Sequence, residues 1–152
     1  MAGRVEAVGA GVTGFVPGDA VFGVCGGSFA EHARVSKKSL VSKPADLTFE
    51  QAAAVPIAAL TALQGLRDKG KLQPGQKVLI NGAAGGVGTF AVQIAKALGA
   101  EVCSTGNRDL VRSLGADHVI DYTKDDFARS GQRYDVLLDN VGNRSLPTAG
   151  AR

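Results

Sequence analysis

The chain reads as an α/β protein: a parallel sheet of about four strands wound with helices, preceded by a small antiparallel β-unit. Three observations predict this. From Lys77 onward, short apolar runs alternate with segments of helical periodicity, the pattern of strands joined by crossover helices. A glycine turn joins the first of those runs to an amphipathic helix. Before Lys43-Pro44 the texture differs, with short apolar runs separated by glycine and proline turns.

The antiparallel unit is expected from runs at Val5 to Val8, Ala20 to Val24, Phe29 to Val35 and Leu40-Val41, with turns at Pro17-Gly18-Asp19 and Gly26-Gly27. Thr48 followed three residues later by Gln51 is a capping-box pattern that opens a helix. Pro56 suits the first turn of a second helix through Ala59, Leu60, Leu63 and Leu66. The alternating part is then expected as strand 77–82, helix 87–98, strand 101–104, helix about 108–114 and strand 118–121. A short helix around 125–130 and strand 134–140 complete it. The corresponding domains are 1–46 and 47–152.

The turn carries the chemistry. Val78-Leu79-Ile80 is a buried-strand run broken by Asn81-Gly82. Gly85 has no Cβ, so backbone there can approach a diphosphate, and Gly88 lets the following helix pack closely on the strand it leaves. Val87, Ala91, Ile94, Ala95 and Leu98 share one helix face, and Gly99 suits the C-terminal cap. The N–H groups near Gly86 to Gly88, with the helix dipole, suit an anion. Ala83 stands where G-x-G-x-x-G has its first glycine. Strand, turn and helix together predict a partial Rossmann-type, doubly wound nucleotide-binding sheet rather than a turn that merely joins two elements.

On these residues the chain resembles the zinc-lacking quinone oxidoreductases, the zeta-crystallin-like branch of the medium-chain dehydrogenase/reductase superfamily. The resemblance lies in Gly75-Gln76, Leu79, the run Ala83 to Gly88, Gln93 and Lys96 at the family's spacing. It extends to Gly3 to Gly9, Pro17 to Phe22, Gly27 to Glu31 and Leu114 to Asp117 in the expected order. It implies that residues 1–46 are a remnant of a GroES-like β domain and that 47–152 are part of an NAD(P)-binding domain. It also implies reduction of quinones or activated enones by direct hydride transfer from NADPH, without zinc. Residues toward the cofactor would be Thr61, Ala84, Gly85, Gly86, Val87, Gly88, Ser104, Thr105, Arg108, Tyr122, Asn140, Val141 and Gly142. Thr61 and Tyr122 are matched to the family's nicotinamide-side threonine and adenosine-phosphate tyrosine; as a bare residue Thr61 more often reads as a helix-surface or back-bonded threonine, and a packed, half-exposed tyrosine is an equal reading of Tyr122. Asp139-Asn140-Val141-Gly142 either faces the cofactor crevice or ends the strand with an Asx turn.

Cofactor choice is read at the end of the second strand. Ser104-Thr105-Gly106-Asn107-Arg108 contains no carboxylate there, which favours NADPH over NADH. Asp109 is the rival ribose ligand, and its place in the next helix suits a dipole partner instead. The family's basic position after Ser-Thr is Gly106 here, so Arg108 would have to meet a 2′-phosphate.

Charge and composition exclude other classes. A formal charge of +3 is mild and scattered, and aromatics make up 5% of the chain, so a nucleic-acid surface is not expected. Cys25 and Cys103 lie apart with no CxxC spacing and are expected to be free thiols. No signal peptide or membrane-spanning run is visible, so a soluble cytoplasmic protein is expected. No residues have the count or spacing of a zinc site, and His32 and His118 read as structural. Cys25, Ser28 and Glu31 show no nucleophile–base logic, which suits cofactor-borne chemistry with a catalytic residue unknown.

Only four parallel strands fit before Arg152, whereas a full dinucleotide sheet has six. Against the resembled family the chain starts inside the β-rich domain and stops partway through the cofactor domain, as a partial reading frame would. The alternative is a nucleotide-binding module without catalysis. An edge at strand 134–140 is expected to promote self-association or a homodimer. The expected partner is otherwise a small quinone or enone, with no membrane and no nucleic acid.

Overall fold

The computed structural model describes residues 1–125, 127 and 131–142. Two compact units divide the chain, Met1–Leu60 and Thr61–Arg152, a division that falls within the helix that follows residue 48.

In the first unit, β1 (Ala2–Arg4), β2 (Ala20–Gly23) and β3 (Leu40–Ser42) form an antiparallel sheet in that order. Pairing runs Ala2 with Phe22 and Val21 with Ser42. A Cβ on Gly23 would lie 1.9 Å from the Ser39 carbonyl oxygen, so only glycine permits this approach. Two expectations fail here. The first strand lies at Ala2–Arg4 rather than Val5 to Val8, because Val5 is bonded to the turn through Asp19 and Gly18. Residues 29–35 form no strand: among the described residues no partner strand pairs with them, and a lone strand leaves its backbone groups unpaired. Residues 28 and 30–35 instead line an open hollow with β1, and the Phe29 ring is fully exposed.

Helix α1 (Phe49–Leu63) opens on the expected capping box: Thr48 N–H donates to Gln51 Oε1 at 2.9 Å, and Gln51 N–H to Thr48 Oγ1 at 3.2 Å. No second helix starts at Pro56. The helix runs through it, since proline forfeits a single hydrogen bond while alanines at 52–54, 58, 59 and 62 favour helix on either side. A π-helical turn, Gln64–Lys69, follows, closed by Gly70 N–H to the Gly65 carbonyl at 2.8 Å.

The second unit holds a parallel sheet of β4 (Lys77–Asn81), β5 (Glu101–Thr105), β6 (His118–Ile120) and β7 (Val136–Asp139). Its order is β6-β5-β4-β7. The chain steps outward from β4 to β6, then returns past β4 to lay down β7. Such a reversal makes a topological switch point at the carboxyl ends of the central strands. Helix α2 (Gly86–Ala97) and the short α3 (Arg108–Ser113) are its crossovers. Of the helix expected around 125–130, most lies outside the described residues.

Register explains the core. Val78 pairs with Val102 and Val136, while Leu79 pairs with Cys103 and Leu137, so successive residues load opposite faces. Val78, Ile80 and Val102 join Ala91, Val92 and Ala95 of α2, with Leu66 and Val111, in one contiguous core. Gly65 and Gly70 let β7 close on the π-helical turn, where a Cβ would sit 2.9 Å from Leu138 Cδ1 or Val136 Cγ1 respectively. Among the described residues no helix is long and apolar enough to cross a membrane.

Candidate cofactor site

The glycine turn leaves β4 at Asn81. Gly82 takes φ +77°, a left-handed conformation that glycine adopts without strain. Gly85, extended at φ −80° and ψ 170°, is the N-cap of α2, and its N–H donates to the Gly82 carbonyl at 3.1 Å. Gly88 packs on the turn so closely that a Cβ would lie 2.2 Å from the Gly82 oxygen and 2.6 Å from Ala83 Cα. A Cβ on Gly86 would meet nothing within 4 Å. The first-turn N–H groups of α2, at Gly86, Val87 and Gly88, have no partner available within their own helix, and the positive end of its dipole lies among them.

Beside this turn, side-chain hydrogen bonds join the ends of three strands. Thr105 Oγ1 donates to Asn81 Oδ1 at 2.7 Å and accepts the Gly82 N–H at 3.0 Å. Asn81 Nδ2 donates to Asp139 Oδ1 at 2.9 Å. The same oxygen accepts the N–H groups of Val141 and Gly142, each at 3.0 Å. Hydrogen bonds from the Gly142 and Val141 backbone hold the Asp139 carboxyl below the usual aspartate range, with Asn81 adding to them. Ala83 N–H to the Thr105 carbonyl and Asn140 N–H to the Asn81 carbonyl complete the lacing.

Over these strand ends lies a cavity of about 370 Å³, lined by Asn81, Gly82, Ala84, Gly85, Thr105, Gly106, Asn107, Tyr122, Phe127 and Val141. Of the residues expected from sequence, Ala84, Gly85, Thr105, Tyr122 and Val141 meet on its wall, with Gly86, Val87 and Gly88 in the helix turn beside it. Asn140 and Gly142 flank the wall without lining it. Arg108 is exposed at the first residue of α3, and Thr61 is exposed on α1. Ser104 is fully buried and reaches only toward the His118 carbonyl, at 3.5 Å, so its hydroxyl does not face the cavity.

Sequence reasoning missed Asn81, Gly82 and Phe127 as lining residues; it read Gly106 and Asn107 only as part of the stretch that sets cofactor choice, and Asp139, expected with Asn140 to Gly142 to face the crevice or end the strand, does not line the cavity. Asn81-Gly82 was legible only as a strand breaker. Asn107 is spent locally, its Oδ1 accepting the Leu110 N–H at 3.1 Å as the cap of α3. Gly106, at φ +143°, brings β5 against the turn, where a Cβ would lie 3.0 Å from Ala84 Cβ.

Comparison with known proteins gives the same site a lineage. Residues 86–150 match the family described as zinc-binding dehydrogenase. The chain is 41% identical over 157 residues to 2-methylene-furan-3-one reductase of Solanum lycopersicum, covering 93% of this chain and 40% of that protein. Its fold matches an alcohol dehydrogenase superfamily protein from Novosphingobium aromaticivorans at TM-score 0.84 and 44% identity, over 91% of this chain and 46% of that one. The quinone oxidoreductase from Coxiella burnetii matches at TM-score 0.81 and 34% identity, over 93% and 47%. Over the stretch it shares with them, the chain is similar to oxidoreductases of the medium-chain dehydrogenase/reductase superfamily. The chain spans less than half the length of those three relatives.

The glycine turn fits a nicotinamide dinucleotide. Gly86 leaves open space at the helix end, Gly85 lines the cavity with a Cβ position only 3.3 Å from the Gly82 oxygen, and the cavity continues to the end of β5, where such a cofactor's ribose is read. Among the described residues no three His, Cys, Asp or Glu side chains are grouped to hold a metal ion. Both cysteines are free, and burial pushes the Cys103 thiol up, away from a reactive thiolate.

Proposed function

We propose that the chain carries the cofactor-binding part of a zinc-independent, NADPH-dependent reductase of quinones or activated enones. The observation that carries this reading is the placement of the glycine turn at the switch point, with the helix N-terminus beside one cavity. The N–H groups of Gly86, Val87 and Gly88 would hold the pyrophosphate, and Tyr122 and Val141 would bound the cofactor from the facing wall. When bound, the nicotinamide supplies a hydride. Thr105 keeps its hydroxyl inside the protein and Asn107 is occupied as a cap, so a 2′-phosphate would depend on the exposed Arg108. The substrate class is supported by two relatives, one named for a methylene-furanone, which is a conjugated enone, and one for quinones.

Titration by nucleotide fluorescence tests the reading. Wild type should bind NADPH more tightly than NADH, Arg108→Ala should erase most of that preference, and Gly85→Val should weaken both. Equal affinity of wild type and Gly85→Val for NADPH would sink the assigned site. Oxidation of NADPH by a simple quinone with the purified chain then separates a reductase from a module that only binds nucleotide.

A further inference from the structure

We propose that Asp139 is a positioning residue for this site, a latch that holds the loop after β7 against the glycine turn after β4. The inference rests on the dinucleotide reading above and assigns a task that neither strand nor turn chemistry explains. An Asx turn needs only a bond from the aspartate to the backbone two residues on. Here one oxygen, Asp139 Oδ1, takes the N–H groups of both Val141 and Gly142 and is also gripped across the sheet by Asn81 Nδ2. Asn81 is in turn fixed by the Thr105 hydroxyl, which also holds the first N–H of the glycine turn, at Gly82. Three of these contacts therefore connect β5, β4 and β7 in series at their carboxyl ends, and two more fold the loop after β7 onto the same oxygen.

The consequence falls on the cavity. Val141 lines its wall, and its Cγ2 lies where a Cβ on Gly82 would come within 2.7 Å. The two loops can approach this closely because glycine is on one side and the carboxylate restrains the other. A carboxylate suits the post because bonds to a charged acceptor are stronger than those to a neutral one, and this oxygen serves three donors. Remove it and the Val141–Gly142 backbone loses both local bonds, along with the side-chain tie to Asn81, leaving, among the described residues, only the Asn140 N–H on the Asn81 carbonyl to hold the loop to β4. The sheet itself remains, because β7 keeps its ladder to β4.

The test compares Asp139→Ala, Asp139→Asn and the core variant Val102→Ala, which lowers stability without touching the latch. Two readouts are used: NADPH affinity by fluorescence, and amide hydrogen exchange at Gly82, Val141 and Gly142. Asp139→Ala should weaken NADPH by about tenfold, the size expected for losing bonds to a charged acceptor. Asp139→Asn, which keeps an oxygen acceptor, should lose less. Exchange at Val141 and Gly142 should quicken in Asp139→Ala and stay slow in Val102→Ala. The latch is overturned if Asp139→Ala binds and exchanges like wild type, or if Val102→Ala weakens NADPH as much. Wild type that binds neither NADPH nor NADH would reject the dinucleotide reading and the positioning role together, with the exchange data still showing whether the loop is tied.

Discussion

Gly88 shows how much one hydrogen atom decides. With a Cβ 2.2 Å from the Gly82 oxygen, Gly88→Ala must push α2 off β4 or distort the turn. Overpacking of this kind costs about 1–3 kcal/mol, and the thermal midpoint should fall accordingly. Asp117 illustrates a charge used for stability. Burial by itself would raise its carboxyl, but the Lys96 ammonium at 2.8 Å and the Val102 N–H at 2.7 Å outweigh it, holding the group below the usual aspartate range. A carboxyl depressed in the folded state contributes stability that is fully present above the ordinary aspartate value and is lost as pH falls through the lowered one. Urea unfolding between neutral pH and roughly pH 3 should show this loss, and Asp117→Asn should flatten that part of the curve. An unchanged slope in the variant would mean that the pair does not contribute.

Among the elements, the π-helical turn and β7 form a matched pair. A side chain at Gly65 meets the Leu138 δ-carbon at 2.9 Å, so the branched side chain of Gly65→Val must displace it and should destabilise by about 1–3 kcal/mol. A chemical denaturation midpoint equal to that of wild type would show that β7 can retreat. Among the described residues β7 pairs on one side only, leaving an edge with unpaired backbone groups. Size-exclusion chromatography at micromolar concentration should accordingly show species larger than one chain; a clean monomer with reversible unfolding would contradict this. Legibility differed by element. The strands β4 to β7 and helix α2 could be read because parallel, doubly covered strands are apolar runs between helical patterns. Residues 29–35 could not: their alternation is that of a strand, but a strand exists only where a partner pairs with it. Pro56 misled for the converse reason, since a local breaker was overridden by the helix formers around it.

At the scale of the whole molecule the two units are unequal. The contiguous core lies between Ala62 and Ala116, whereas among the described residues the first unit contributes only Val21, Ala52 and Pro56 to the buried apolar side chains. Local stability follows buried apolar contact. Hydrogen exchange should therefore be slowest in β4, β5 and α2 and fast through residues 24–36, where limited proteolysis should cut first. Uniform protection across the chain would show that the first unit is held by something other than its own packing.

The glycine turn, its strand and its helix could be read from the sequence alone, because each depends on neighbours a few residues away: the missing Cβ, the period of the apolar face, the cap. The absence of a carboxylate in Ser104 to Arg108 was legible on the same ground. Only the tertiary structure decided that Ser104 faces away, that Thr105 keeps its hydroxyl within the protein, and that Asp139 ties the loop carrying Val141, a residue of the cavity wall, to Asn81 of β4. Those facts rest on hydrogen bonds between residues 24 and 58 positions apart in the chain. Such pairs leave no local pattern, since they exist only once the order β6-β5-β4-β7 brings three strand ends side by side.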